Sequence, residues 1–213
     1  MIVVHSIPGS PYGRAAIIAC IEKQAPWRME PLTPGQHRGP EHMARHPLGR
    51  VPAIDDDGFV VYETQAILRY LDAVGPGPAL TPADPKAAAR MNQVIGVIDG
   101  YFFTGSGAAP LTFNRVVAPR LGFPVNEEAA LAAIPATRNI VGVLAGFLEK
   151  GPYLAGETFS LADIHAGTHL DMLSDCAEGA EMLAATPLAA WLERLRARPS
   201  FIATTWDELA KAA

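Results

Sequence analysis

The order of apolar and polar positions changes character twice along the chain. MIVVHS is a short β-branched run that predicts a buried strand. The IPGSPYGR that follows combines glycine, serine and two prolines, which is turn chemistry. Beyond it, Ile17, Ile18 and Ile21 fall on one helical face, with Arg14, Glu22 and Lys23 off it. WRMEPL (27–32) predicts a second strand, TPGQHRG a polar loop, and PEHMARH a short helix that Pro47 must end. VPAI and GFVVY predict two strands around DDDG, in which Asp57-Gly58 is a hairpin signal. ETQAILRYLDAV then places Ala66, Ile67, Tyr70, Leu71 and Val74 on one stripe, with Arg69 and Asp72 outside it. The predicted order is βαβαββα.

A glycine- and proline-rich stretch, GPGPALTPADP, stops any regular element. Everything after it reads helical: 86–103, 127–150, 160–174, 187–199 and 200–213, without convincing alternation. The stretch TGSGAAPLTFNRVVAPRLGFPV between the first two predicts a broken helix or a long excursion over a cleft. The expected organisation is an α/β domain over residues 1–75, a linker over 76–84 and an all-α domain over 85–213.

Composition narrows the function classes. In 213 residues the net charge is −5. No Lys/Arg block occurs, so neither nucleic acid nor an anionic membrane surface is an expected partner. No apolar stretch is expected to reach the ~18–20 residues of a membrane span, and no signal-like segment opens the chain, so a cytoplasmic location is expected. Cys20 and Cys176 form no disulfide framework or metal-ligand spacing and read as small core residues.

Several polar residues invite chemistry. Ser10 stands where a hydroxyl can cap a helix or act on a ligand near the helix's positive end. His42/His46 and His165/His169 have the i, i+4 spacing of zinc ligands, but no glutamate completes an HExxH pattern and Asp163 and Asp171 point elsewhere on the helix, so no metal is expected. Ser160-Leu-Ala-Asp163 reads as a capping box with aspartate for glutamate. His5, within a core strand, is expected to be structural.

Five stretches together carry a family resemblance: SPYGR after the first strand, GQHRGPEHMARHPLGRVPAI, YETQAILRYL, FSLADIHAGTHL and AWLERLRARPSF. In this order the chain resembles a serine-type cytosolic glutathione transferase over essentially its whole length, with a thioredoxin-like first domain. The resemblance implies glutathione as co-substrate, a hydrophobic electrophile, and a homodimer. It implies Ser10 as the residue that stabilises the glutathione thiolate, with Arg14 opening the helix behind it. Tyr12 is the rival donor and otherwise an electrophile-pocket residue. Val51-Pro52 is implied to be a cis bond whose Val51 backbone pairs with the cysteinyl part of glutathione. Thr64 and the helix start would hold the γ-glutamyl carboxylate, and Glu63 the ammonium. A cap reading of Glu63 and Thr64 is compatible with this. His37, Arg38 and Arg50 are candidates for the glycyl carboxylate. The electrophile is expected between the domains, against Tyr101, Phe102, Phe103, Leu111 and Phe113. Glutathione-dependent isomerisation, peroxide reduction or dehalogenation would share this site, and a non-catalytic module of the same fold is the alternative from another class. Serine rather than cysteine at position 10 argues against reductase chemistry.

Overall fold

The computed structural model describes residues 1–211. The chain forms two compact units, one containing residues 1–81 together with the chain from Arg196 onward, the other Pro82–Leu195.

In the first unit the strands are β1 (Ile2–Ser6), β2 (Trp27–Pro31), β3 (Ala53–Asp56) and β4 (Phe59–Tyr62), in the sheet order β2-β1-β3-β4. β1 and β2 run parallel because helix α1 (Pro11–Glu22) carries the chain back between them; the other pairs are antiparallel. Asp57 and Gly58, with φ of 50° and 93°, make the tight turn between β3 and β4 that their sequence predicts. A short 3₁₀ turn (Gln36–Arg38) and helix α2 (Pro40–Met43) precede β3, and α3 (Thr64–Val74) follows β4. The βαβαββα order is as expected.

Two details depart from the expected helix faces. α3 buries Ile67, Leu68 and Leu71, while Ala66 and Val74 are exposed, so the stripe is rotated toward Leu68. Tyr70 stays at the border because its hydroxyl donates to Asp56 Oδ2 at 2.7 Å. Lys23, expected off the apolar face, is only 3 % exposed and pairs with Asp72 Oδ1 at 3.1 Å. Its ammonium also donates to the carbonyls of Gly77 and Pro78, and Asp72 accepts the N–H groups of Leu80 and Thr81. A buried charge needs this full set of partners, and the set ties α1, α3 and the proline-rich linker together.

The expected boundary of the helical half needs correction at its end. Residues from Arg196 onward belong with the first unit. They carry α11 (Pro199–Ile202) and α12 (Trp206–Lys211). Arg198 makes a two-pronged pair with Glu22, at 2.9 and 2.7 Å, and Ser200 donates to the same carboxylate. These bonds hold the Glu22 carboxyl below its ordinary range against the opposing effect of burial.

The regular elements of the second unit are helices: α4 (Pro85–Val97), α5 (Ala109–Thr112), α6 (Ala118–Leu121), α7 (Glu127–Gly146), α8 (Leu161–Leu173), α9 (Ala177–Ala184) and α10 from Leu188. The interrupted stretch (104–125) resolves into α5, a π-helical turn at Phe113–Val117 and α6, and another π-helical turn, Ile98–Phe102, ends the helical run before it. α7 and the turn after it (Glu127–Lys150) correct the expectation about apolar length: the 24 residues include an 18-residue window of mean hydropathy 1.5 and are long and apolar enough, by length and composition, to cross a membrane. Alanines supply much of that hydropathy, and α7 buries Ala130, Ala133, Thr137, Val141 and Leu144 within the unit.

α8 is the axis of this unit, buried on every side. Asp163, fully buried, accepts from the Ser160 N–H and hydroxyl, the Leu154 N–H and the Trp191 indole at 2.9–3.0 Å. This is the predicted capping box extended into a crosslink. The histidine pair on the same helix is committed to packing bonds: His165 Nε2 lies 2.7 Å from Asp99 Oδ1, and His169 Nδ1 donates to the His165 carbonyl at 2.7 Å.

Burial, reinforced by the neighbouring His165, holds the His169 imidazole at about 3. The unfolded chain therefore takes up a proton below about pH 6.5 that the folded chain refuses. The stability this group contributes is complete above about pH 6.5 and is lost as pH falls toward 3, at up to about 1.4 kcal/mol per pH unit. Urea midpoints between pH 7 and 4 should fall less steeply in His169→Gln than in the parent; equal slopes would remove His169 from the acid response.

Candidate active site

Strand register alone gathers the predicted residues at one end of the sheet. His5 faces Ala53, and Ala53 faces Tyr62. The turn leaving β1, the Val51-Pro52 segment entering β3 and the Glu63-Thr64 junction leaving β4 are therefore successive neighbours across the sheet. The parallel β2 ends at the same edge, opposite Ser6, and releases the loop that carries His37 and Arg38.

The turn after β1 is built by close approach. Gly9 has φ +88°, and a Cβ there would lie 2.3 Å from the Trp206 ring. Gly13 sits inside a helix, where glycine normally costs about 0.5–1 kcal/mol relative to alanine. Here a Cβ would lie 1.9 Å from the Ser6 hydroxyl, so helix and strand can pack this closely only over glycine. Ser6 is thereby sealed beneath the helix, its hydroxyl without a hydrogen-bond partner among the described residues. Neither Gly13 nor Trp206 was singled out by sequence reasoning; a glycine one turn into a helix was the available signal.

Ser10 is the N-cap of α1, in extended conformation, and its Oγ accepts the Gly13 N–H at 3.3 Å. That bond uses an oxygen lone pair and leaves the hydroxyl proton for donation. Capping the helix therefore does not use up the hydroxyl's capacity to donate. Pro11 fills the first helical position, where a missing N–H costs nothing. Tyr12 follows it within the first turn and is half-buried. Arg14 turns toward the chain's end: Nη2 donates to the Phe201 carbonyl at 3.2 Å, Nε to Thr204 Oγ1 at 3.3 Å, and the guanidinium lies 5.3 Å from the Phe201 ring centre. It anchors the helix start.

Val51-Pro52 is cis, as the resemblance implies. Arg50, exposed, precedes it. A Cβ on Gly49 would lie 3.3 Å from the His37 carbonyl and 3.5 Å from Arg38 Cγ, so the two loops bearing cationic candidates are packed together. His37 is half-buried with Nδ1 enclosed, and its imidazole is held below the ordinary range by desolvation and then by the charges of Arg38, His42 and Arg50. The three candidates His37, Arg38 and Arg50 thus share one patch of positive potential.

Glu63 has φ 68° and ψ 112°, a conformation that costs a residue with a side chain about 1–3 kcal/mol. It occupies the N-cap of α3 without a side-chain bond to the first turn. Thr64 lies inside the helix, 7 % exposed, so glutamate and not threonine holds the cap position. The unspent donors of a helix start suit an anion, and the exposed Glu63 carboxylate suits a cation beside it.

The aromatic candidates of the second unit divide. Phe102 and Leu111 are fully buried, so their expected place in a pocket gives way to core packing. Phe103 is half-buried with its ring 5.0 Å from that of His169. Tyr101 is 66 % exposed, and Phe113 is exposed and stacked on Phe123 at 6.4 Å.

Comparison with known proteins identifies the family. Residues 4–79 match the model of the glutathione S-transferase N-terminal domain and residues 106–199 that of the C-terminal domain. Glutathione S-transferase 3 of Zea mays is 30 % identical over 203 residues, covering 93 % of this chain and 90 % of the relative. The apo structure of glutathione S-transferase III has a TM-score of 0.83 at 29 % identity, covering 95 % of this chain and 94 % of its own. Glutathione S-transferase I from mais, in complex with an atrazine glutathione conjugate, has a TM-score of 0.82 at 24 % identity, covering 100 % of this chain and 99 % of its own. The chain belongs to the glutathione S-transferase family.

Proposed function

We propose that the protein is a glutathione transferase in which Ser10 donates a hydrogen bond to the thiolate of bound glutathione. The observation that carries this reading is the geometry of Ser10, whose oxygen caps α1 through the Gly13 N–H while its proton stays available. A free thiol of pKa about 8.5 is mostly protonated at neutral pH. A donor to sulfur, placed at the positive end of a twelve-residue helix, favours the anion.

The rest of the tripeptide fits the sheet edge. Three neighbouring strands about 4.8 Å apart span roughly 10 Å, close to the length of three extended residues. The Val51 backbone would pair with the cysteinyl part, and the α3 start with Thr64 and Glu63 would take the γ-glutamyl carboxylate and ammonium. His37, Arg38 and Arg50 would take the glycyl carboxylate. Tyr12 in the first unit and, separately, Tyr101, Phe103 and Phe113 in the second are the aromatic candidates for contact with a small hydrophobic electrophile. The relative whose structure holds an atrazine conjugate supports an electrophile of that apolar kind. A cytoplasmic homodimer completes the reading: both cysteines are free, and Phe59, Val60 and Val74 leave apolar area exposed on the first unit.

Ser10→Ala should raise the pKa of the bound glutathione thiol, read by its ultraviolet thiolate absorbance, and lower kcat about a hundredfold, the usual effect of removing one donor to a developing anion. Tyr12→Phe should change neither by more than about twofold; a thiol pKa that moves with Tyr12 instead would reassign the donor. Glu63→Gly tests the other end of the site. Relief of about 1–3 kcal/mol of strain, less about 0.5–1 kcal/mol for glycine's greater unfolded entropy, should leave the protein about 1 kcal/mol more stable. It should nonetheless bind glutathione more weakly, and a loss of stability would show that the Glu63 backbone is not strained.

A further inference from the structure

We propose that His42 is a positioning residue that aims the Val51 N–H by holding the carbonyl of the same peptide unit. His42 is 2 % exposed, and its Nε2 lies 2.7 Å from the Arg50 carbonyl oxygen. A carbonyl only accepts, so the ring donates from Nε2. The Arg50–Val51 peptide is planar and trans, so its N–H points opposite to its C=O. Fixing the Arg50 oxygen therefore fixes the direction of the Val51 N–H. The other ring nitrogen of His42, Nδ1, is buried without a hydrogen-bond partner among the described residues, so Arg50 receives the one hydrogen bond this imidazole makes.

The surroundings make the hold rigid. The His46 N–H donates to the His42 carbonyl at 2.8 Å, and the two rings stack with centroids 6.2 Å apart. The His46 ring in turn lies 4.8 Å from that of Tyr62, the residue before Glu63. The i, i+4 histidine pair that resembled a metal grip is thus a brace from the turn around α2 to both the Val51 segment and the end of β4. In a sheet-edge site whose ligand is read by backbone groups, such a brace acts on affinity without touching the ligand.

This inference rests on Val51 as a backbone partner of glutathione, and the experiment separates the two. Glutathione affinity is measured by calorimetry for the parent, His42→Gln and His42→Met, with unfolding midpoints for each. Gln and Met fill similar volume, but only Gln can donate to the Arg50 oxygen. The expected result is a dissociation constant within about twofold of the parent for Gln and about tenfold weaker for Met. Equal binding by His42→Met, or an equal loss in both variants, would overturn the role of His42. A parent that does not bind glutathione would overturn the site reading itself. Should His42→Met not fold, the long-range ¹H–¹⁵N spectrum of the parent imidazole decides: the proton belongs on Nε2, and a proton on Nδ1 alone would end the proposal.

Discussion

The constraint on which the site depends is the closeness of α1 to what lies beneath and behind its first turn. Gly13 on Ser6 and Gly9 on Trp206 leave no space for a single added carbon. Arg14 locks the same turn to Phe201 and Thr204. Ser10 lies between these contacts, so its hydroxyl is placed by packing that involves both the first strand and the last helix. This explains why the chain's end joins the first unit: the residues after Arg196 complete the floor under the turn and neutralise Glu22 at the far end of α1.

The remaining elements of the site are arranged on the same logic of fixed backbone. An unfavourable φ at Glu63 and a close loop contact at Gly49 each commit the main chain to a conformation it would not choose alone. Strain of this kind persists only where the surroundings over-determine it. The surroundings here are the register of four short strands, the His42–Arg50 hydrogen bond and the Lys23–Asp72 knot behind α3. A tripeptide read mainly through its own backbone and termini needs such a rigid edge, because every donor that wanders costs entropy on binding.

Much of this was legible in the sequence where local pattern and chemistry coincide. The βαβαββα order, the Asp57-Gly58 turn, the Ser10 cap and the Ser160/Asp163 box each depend on residues close together in the chain. What escaped were contacts set by long separations. Lys23 and Asp72 looked like solvated polar positions because each helix alone offers no partner for a buried charge. Trp206 and Gly9 are nearly two hundred residues apart, and no periodicity links them. Phe102 and Phe103 are adjacent in sequence, but the π-helical turn ending at Phe102 changes the direction of successive side chains and buries one more deeply than the other.

The histidines show how the same residue type is put to opposite uses. His165 and His169 are enclosed in the helical core, where desolvation lowers the His169 pKa and its Nδ1 hydrogen bond joins turns of α8. His37 is also held below the ordinary imidazole range, first by desolvation and then by the charges of Arg38, His42 and Arg50. Positive charges repel its proton now and would attract a ligand carboxylate. A carboxylate bound there would supply the missing counter-charge and raise the affinity of His37 for a proton. Desolvation is the larger cause of the lowered His37 pKa, and the cations that add to it are the same groups that would meet the carboxylate the site is proposed to receive.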